Sequence, residues 1–165
     1  MIMAKILIVY DSRTGNTHKM ALAVAEGVKQ VNGAEVVVKH VDEANNEDLL
    51  SADGIIMGSP TYCGLMSGKM KTFVDKAAYN IQEKLDGKVG AAFTSSSGTA
   101  GGAETTLLSI LEVMLVAGMI VQGRSENKHY GAAAVGKPNE EEIKMCEGLG
   151  KRTAELVLKV RGGNI

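Results

Sequence analysis

Apolar residues recur along the chain in two rhythms. Residues 5–10, Lys-Ile-Leu-Ile-Val-Tyr, make a short, continuous, largely β-branched run that ends at polar residues. Such a run predicts a strand buried on both faces rather than a half-exposed one. Between residues 17 and 31 the spacing changes: Met20, Ala21, Val24, Ala25 and Val28 fall three or four apart, with Lys19, Glu26, Lys29 and Gln30 between them and Asn32-Gly33 as a stop. That is the signature of an amphipathic helix. The same logic predicts a strand over 34–41, a short helix over 47–50, a strand over 54–58, a helix over 68–80, a strand over 88–94, a helix over 102–117 and a strand over 119–123. A last helix begins near Asn139, where Glu142 three residues on completes a capping box, and runs to about residue 160. Gly162-Gly163-Asn164 reads as a frayed tail.

Buried strands that alternate with helices call for a parallel sheet, because parallel strands need helical crossovers. The expectation is an α/β three-layer sandwich, with five strands in one sheet and five helices over its two faces. No repeat, low-complexity stretch or Pro-rich linker interrupts the pattern, so residues 1–165 are read as a single domain.

In an open parallel sheet, ligands sit beyond the carboxyl ends of the strands, where the strand order reverses. Three segments follow the first, third and fourth strands there: 11–17, 59–67 and 95–102. The first holds Ser12, Arg13, Thr14, Gly15, Asn16 and Thr17, hydroxyls and a glycine in a turn that opens a helix. Backbone N–H groups and the helix dipole favour an anion there, and a phosphate is the natural guest. Without a Gly-Lys pair or G-x-G-x-x-G, a nucleoside triphosphate or a Rossmann-type dinucleotide fits poorly. The plainer alternative is that Ser12, Asn16 and Thr17 only cap the helix. The second segment, with Pro60, Thr61, Tyr62, Cys63, Gly64, Leu65 and Met66, suits a flat ring, unless Leu65 and Met66 fold back on the core. The third, with Ser95, Ser96, Ser97, Gly98, Gly101 and Gly102, is too rich in Gly and Ser to pack; its alternative is a flexible linker.

Composition narrows the function classes. The 165 residues are 45% hydrophobic and 22% charged, ordinary for a globular chain long enough to bury a core without staples. With two Phe, four Tyr and no Trp, that core is aliphatic and Met-rich. A formal net charge of -1 with no basic run disfavours nucleic acid. The apolar run after Lys5 is too short for a signal segment or a membrane span, so a cytoplasmic protein without membrane insertion is expected. Cys63 and Cys146 lie far apart, which argues against a disulfide framework or a zinc site, and no metal is expected.

Together the three segments resemble the flavodoxin superfamily, whose phosphate loop reads (Thr/Ser)-x-Thr-Gly-x-Thr and is matched at Ser12, Thr14, Gly15 and Thr17. The stretch 58–75, with its Gly-Ser-Pro-Thr-Tyr-Cys-Gly-Leu-Met start and later Phe73-Val74-Asp75, is similar to the WrbA-type NAD(P)H:quinone oxidoreductases. So are Gly87-Lys88 through Ser96 and the run Gly101-Gly102-Ala103-Glu104-Thr105-Thr106. The resemblance implies strand order 2-1-3-4-5 and FMN as cofactor. It implies that Ser12 to Thr17 bind the phosphate and that the flavin ring lies between Pro60 to Leu65 and Ser95 to Gly101. Tyr130, in His129-Tyr130-Gly131-Ala132, matches a turn that approaches the flavin in that family.

WrbA-type chains also carry an insertion after the last strand region around which they tetramerise, and here Gly123 is only a few residues from His129. A monomer or homodimer is expected rather than a tetramer. Three functions follow from the resemblance: an enzyme passing electrons from NAD(P)H through FMN to a quinone; a one-electron carrier between redox proteins; and a flavin-binding module with a redox-sensitive Cys63. Carriers of this kind are strongly acidic to steer partners, which a charge of -1 does not match. Flavin chemistry needs no catalytic side chain, and His129 is the only candidate proton donor, otherwise an ordinary surface histidine. Cys63 reads most simply as a small buried residue, and Lys19, Lys69 and Lys71 as solvated helix faces.

Overall fold

A computed structural model describes residues 3–163. The strands are β1 (Ala4–Tyr10), β2 (Ala34–His40), β3 (Gly54–Pro60), β4 (Val89–Ser96), β5 (Ile120–Val121) and β6 (Ala132–Val135). The helices are α1 (Asn16–Lys29), α2 (Asn46–Ser51), α3 (Gly68–Ile81), α4 (Ala103–Val116) and α5 (Glu140–Arg161), with a 3-10 turn at Gln82–Leu85. All strand pairs are parallel, in the order β2-β1-β3-β4-β5, as expected. The chain therefore reverses direction across the sheet between β1 and β3.

Side chains alternate along each strand between two cores. Ile6 and Ile8 of β1 face the α1 and α5 side with Met20, Val24, Phe93 and Cys146. Leu7 and Val9 face the other side, with Met57, Met70, Phe73, Ile110 and Met114. Burial pushes the Cys146 thiol pKa up to about 12. The phenyl ring of Phe93 lies so close over Gly58 that a Cβ there would come 2.0 Å from a ring carbon.

Three expectations need correction. The third and fourth strands run further than their apolar runs: Ser59 and Pro60 belong to β3, and Ser95 and Ser96 to β4, all four buried. Ser59 pairs with Thr94 and Pro60 with Ser95, so the ladder carries these polar residues into the sheet. The fifth strand is not the continuous run 119–123. It is an edge in two pieces, β5 beside Val89 and Gly90 and β6 beside Phe93 to Ser96, separated by residues 122–131. Gly131 (φ 151°) lets the chain return to β4, for a Cβ there would lie 2.1 Å from the Ala92 carbonyl oxygen. Finally, Gly162 and Gly163 are not frayed. Their N–H groups donate to Leu158 O at 3.0 Å and Val160 O at 3.2 Å, closing α5, while Asn164 lies outside the described residues.

The capping box at Asn139 and Glu142 is present, and a second one, Asn45 with Asp48, opens α2. Burial opposes ionisation of Asp48, but hydrogen bonds from Lys39 and from the Asn45 N–H outweigh it and hold its carboxyl below the usual range. Among the described residues, no helix is long and apolar enough to cross a membrane.

Candidate functional site

The site is built where β1, β3 and β4 end. After β1 the chain turns through residues 11–15 into α1, whose N-cap, Gly15, is left-handed (φ 89°) and brings no side chain to the helix end. Ser12 does part of the capping that the sequence allowed: its Oγ accepts from Gly15 N–H at 3.1 Å and His18 N–H at 3.2 Å. Asn16 and Thr17 do not cap. No described group takes up the N–H of either, so two first-turn donors remain for a guest. Arg13 and Thr14 are exposed beside them.

Thr17 is buried, and its Oγ1 lies 2.8 Å from Ser95 Oγ, at the end of β4. Thr61 N–H donates to Ser95 O at 2.8 Å, and Thr61 Oγ1 lies 3.0 Å from Thr94 Oγ1. Ser95 is thus the shared point of all three segments. Thr94 and Ser59, which motif reading passed over, brace this point: Thr94 Oγ1 donates to Ser59 O at 2.7 Å, and Ser59 Oγ accepts from Ser67 N–H at 2.7 Å. Their signal was a hydroxyl directly after the apolar part of β3 and of β4.

The second segment folds into a tight hairpin. Tyr62 and Leu65 exchange two 3.0 Å backbone hydrogen bonds, and Cys63 (φ 52°) and Gly64 (φ 77°) between them are both left-handed. Two positive-φ residues in a two-residue loop give the twist of a type I′ turn. This holds Tyr62 and Leu65 outward at 40% and 56% exposure, whereas Met66 folds back into the core. Cys63 is exposed, contrary to the small buried residue expected, because the turn puts it at the tip.

The third segment begins later than expected, since Ser95 and Ser96 are strand residues. Ser96 Oγ donates to Gly98 O at 3.1 Å, and Ser97 is exposed. Gly102 (φ 93°) touches the second segment: a Cβ there would lie 2.7 Å from Gly64 Cα. Gly101 is equally confined, against Gly98 O at 2.7 Å. These contacts exclude the linker alternative. Behind this segment, a cavity of about 280 Å3 is lined by Ser96, Gly98, Glu104, His129 and Tyr130 among others. Tyr130 is thereby brought next to the third segment and is 45% exposed. His129 is a surface residue whose Nδ1 lies 2.8 Å from Arg124 O; a carbonyl only accepts, so Nδ1 carries the hydrogen.

One group of side chains escaped the sequence altogether. The Tyr10 ring stacks on His18 at 5.0 Å and meets His40 edge-on at 5.4 Å. His40 Nε2 lies 3.5 Å from the buried carboxylate of Asp11. Burial, then Glu43, raises the Tyr10 pKa, while the hydrogen bond from Lys69 lowers that of Asp42 nearby. Strand register brings Tyr10 opposite His40 across β1 and β2, and the first turn of α1 adds His18. Lys69 and Lys71 sit on the exposed face of α3, paired with Asp42 and Asp75, while Lys19 Nζ reaches Pro138 O at 3.2 Å.

Residues 43–128 match the family model described as NADPH-dependent FMN reductase. Over 162 residues the chain is 48% identical to a protein of Aquifex aeolicus named flavodoxin, covering 94% of this chain and 88% of the relative. It is 40% identical over 191 residues to an NAD(P)H dehydrogenase (quinone) of Archaeoglobus fulgidus, covering 96% of this chain and 100% of the relative. That alignment is longer than the 165-residue chain, so the relative carries residues that this chain lacks. Among solved structures, a WrbA-like flavodoxin from Agrobacterium tumefaciens superposes with a TM-score of 0.81 at 27% identity, over 94% of this chain and 98% of that one. A flavodoxin from the domain Archaea superposes with a TM-score of 0.78 at 31% identity, over 93% and 99%.

Proposed function

Since the chain belongs to the flavodoxin-like family that includes the NADPH-dependent FMN reductases, we propose that it binds FMN at the ends of β1, β3 and β4. Its work on this reading is to pass electrons from NAD(P)H to a quinone or similar small acceptor. The observation that carries the reading is the junction at Ser95, which ties a helix start with two free N–H donors to the second and third segments. FMN, when bound, supplies the redox centre for hydride and electron transfer, and the protein supplies binding and orientation.

The residues fit that cofactor. Asn16 and Thr17 N–H, with Ser12, Arg13, Thr14 and Gly15 around them, suit a phosphate at a helix N-terminus. The segment from Pro60 to Leu65 and Ser95, Ser96, Ser97, Gly98 and Gly101 hold the ring, with Tyr62, Leu65 and Tyr130 as its apolar surroundings. Gly64 and Gly102, in contact, keep the two ring-binding segments close. With its Nδ1–H held by Arg124 O, His129 leaves Nε2 free to take up a proton from solvent and pass it on, and that place in proton delivery to the acceptor is part of the proposal.

A second reading, a one-electron carrier between redox proteins, is favoured by the name of the Aquifex relative. The net charge of -1 favours the reductase, because it offers little field to steer a protein partner. Anaerobic mixing of FMN-loaded protein with NADH or NADPH separates the two. Rapid loss of the flavin absorbance, restored by added quinone, is the expected result. No bleaching by either nucleotide, with reduction in two separate one-electron steps on electrochemical titration, replaces the reductase by the carrier. A colourless protein that takes up no FMN overturns both.

A further inference from the structure

A glycine inside a helix costs about 1 kcal/mol relative to alanine, so each one in α5 asks for a reason. Gly150 has one: a Cβ there would stand 1.9 Å from Val24 O of α1. Gly148 does not, for a Cβ there would meet nothing within 4 Å. It lies instead in an open groove of about 430 Å3 whose other lining residues include Arg124, Lys144, Lys151 and Arg152, with Glu141 and Glu155.

On α5, Lys144 stands four residues before Gly148, and Lys151 and Arg152 stand three and four after it, so all share one face. Arg124 comes from the segment between β5 and β6 and pairs with Glu126. Arg152 is half-buried and makes no hydrogen bond or ion pair with any described residue. Burial and then the nearby charge of Arg124 lower its pKa, as two cations held together without a shared anion require. Two carboxylates, Glu141 and Glu155, line the groove with four cations, and neither pairs with Arg152.

We propose that this groove is a second anion site, taking the phosphoryl group of a small molecule, with Arg152 and Arg124 as paired donors and Lys144 and Lys151 flanking. A planar guanidinium matches two phosphate oxygens at once, and the bare backbone at Gly148 lets such a group approach the helix. The groove's volume is in the range of small-molecule sites, which suits a phosphate ester better than a protein surface. The inference stands independently of the flavin reading, since it uses no residue of the first site.

The test is calorimetric titration of inorganic phosphate into FMN-loaded protein freed of excess FMN, so that the α1 loop is already filled, beside a chloride control at equal ionic strength. One saturable site per chain is expected with phosphate and none with chloride. Arg152→Gln and Gly148→Leu, the second leaving every charge in place, are each expected to weaken it at least tenfold while FMN content holds and neither variant melts lower than the wild-type protein. Arg124→Gln gives the same reading should either variant fail to fold. Absence of a saturable site, or unchanged affinity in the folded variants, overturns the proposal. So does sedimentation with anionic phospholipid vesicles without binding of free phosphate, which would assign the groove to a lipid surface.

Discussion

The hydroxyls of Thr17 and Ser95 meet at 2.8 Å inside the protein, joining residues far apart in the chain. Replacing Thr17 with valine keeps the shape and removes the hydroxyl, which strands Ser95 Oγ in a buried setting. A buried polar group left unsatisfied costs about 1–3 kcal/mol, and Thr17→Val should lose about that much in urea unfolding of the apoprotein. If the junction also positions the proposed flavin-binding segments, FMN affinity followed by flavin fluorescence should fall about tenfold; full affinity in a destabilised variant would separate the junction from the site. Both residues were legible in the sequence, Thr17 in the hydroxyl-rich turn that opens a helix and Ser95 just past an apolar run. Cys63 was misread at the same scale, because average burial of cysteine says nothing about a turn that needs positive φ at its tip. The Tyr10, His18, His40 and Asp11 cluster had no linear signal, since β1–β2 register and the first turn of α1 create it.

Between elements, the closest approach is that of α1 to α5, where glycines stand in for side chains. A Cβ at Gly27 would lie 1.9 Å from Glu147 O, and one at Gly150 equally close to Val24 O. Gly150→Ala must therefore push the helices apart, and overpacking of this kind costs about 1–3 kcal/mol. Gly148→Ala, two residues away on the same helix, meets open space and should gain up to about 1 kcal/mol from helix propensity alone. Thermal melts of the two variants should shift in opposite directions; a shift in the same direction would mean that the crossing has been misjudged. Element type was legible for every long helix and for the buried strands, because their periodicity is strong. The divided edge was not. Ala132 to Val135, an alanine-rich stretch with poor strand propensity, becomes a strand only because β4 offers it a free edge beyond the two residues of β5.

For the molecule as a whole, the order β2-β1-β3-β4-β5 brings the ends of β1, β3 and β4 side by side, and segments separated in sequence by dozens of residues become one site. This was legible because alternation of strand and helix restricts the topology; the fine contacts were not, since they depend on where each strand stops. The same layering buries Cys146 on the inner face of α5, against the sheet, and makes stability depend on pH. Its thiol pKa is pushed up to about 12 by burial, with Lys128 opposing and Glu142 and Glu147 adding to the rise, whereas a thiol in the unfolded chain ionises near 8.5. Between those values the unfolded state releases a proton that the folded state keeps, so stability falls as pH rises. Below about pH 8 both states hold the proton, and the thiol contributes no pH dependence. Cys146→Ala should therefore lose stability at pH 7, where only packing is removed. It should recover about 1–2 kcal/mol of that loss by pH 10, where the wild-type chain is penalised and the variant is not. Urea unfolding of both proteins at pH 7, 9 and 10 gives the difference directly. A gap between them that stays constant across this range would show that Cys146 ionises no more readily in the unfolded chain than on the inner face of α5.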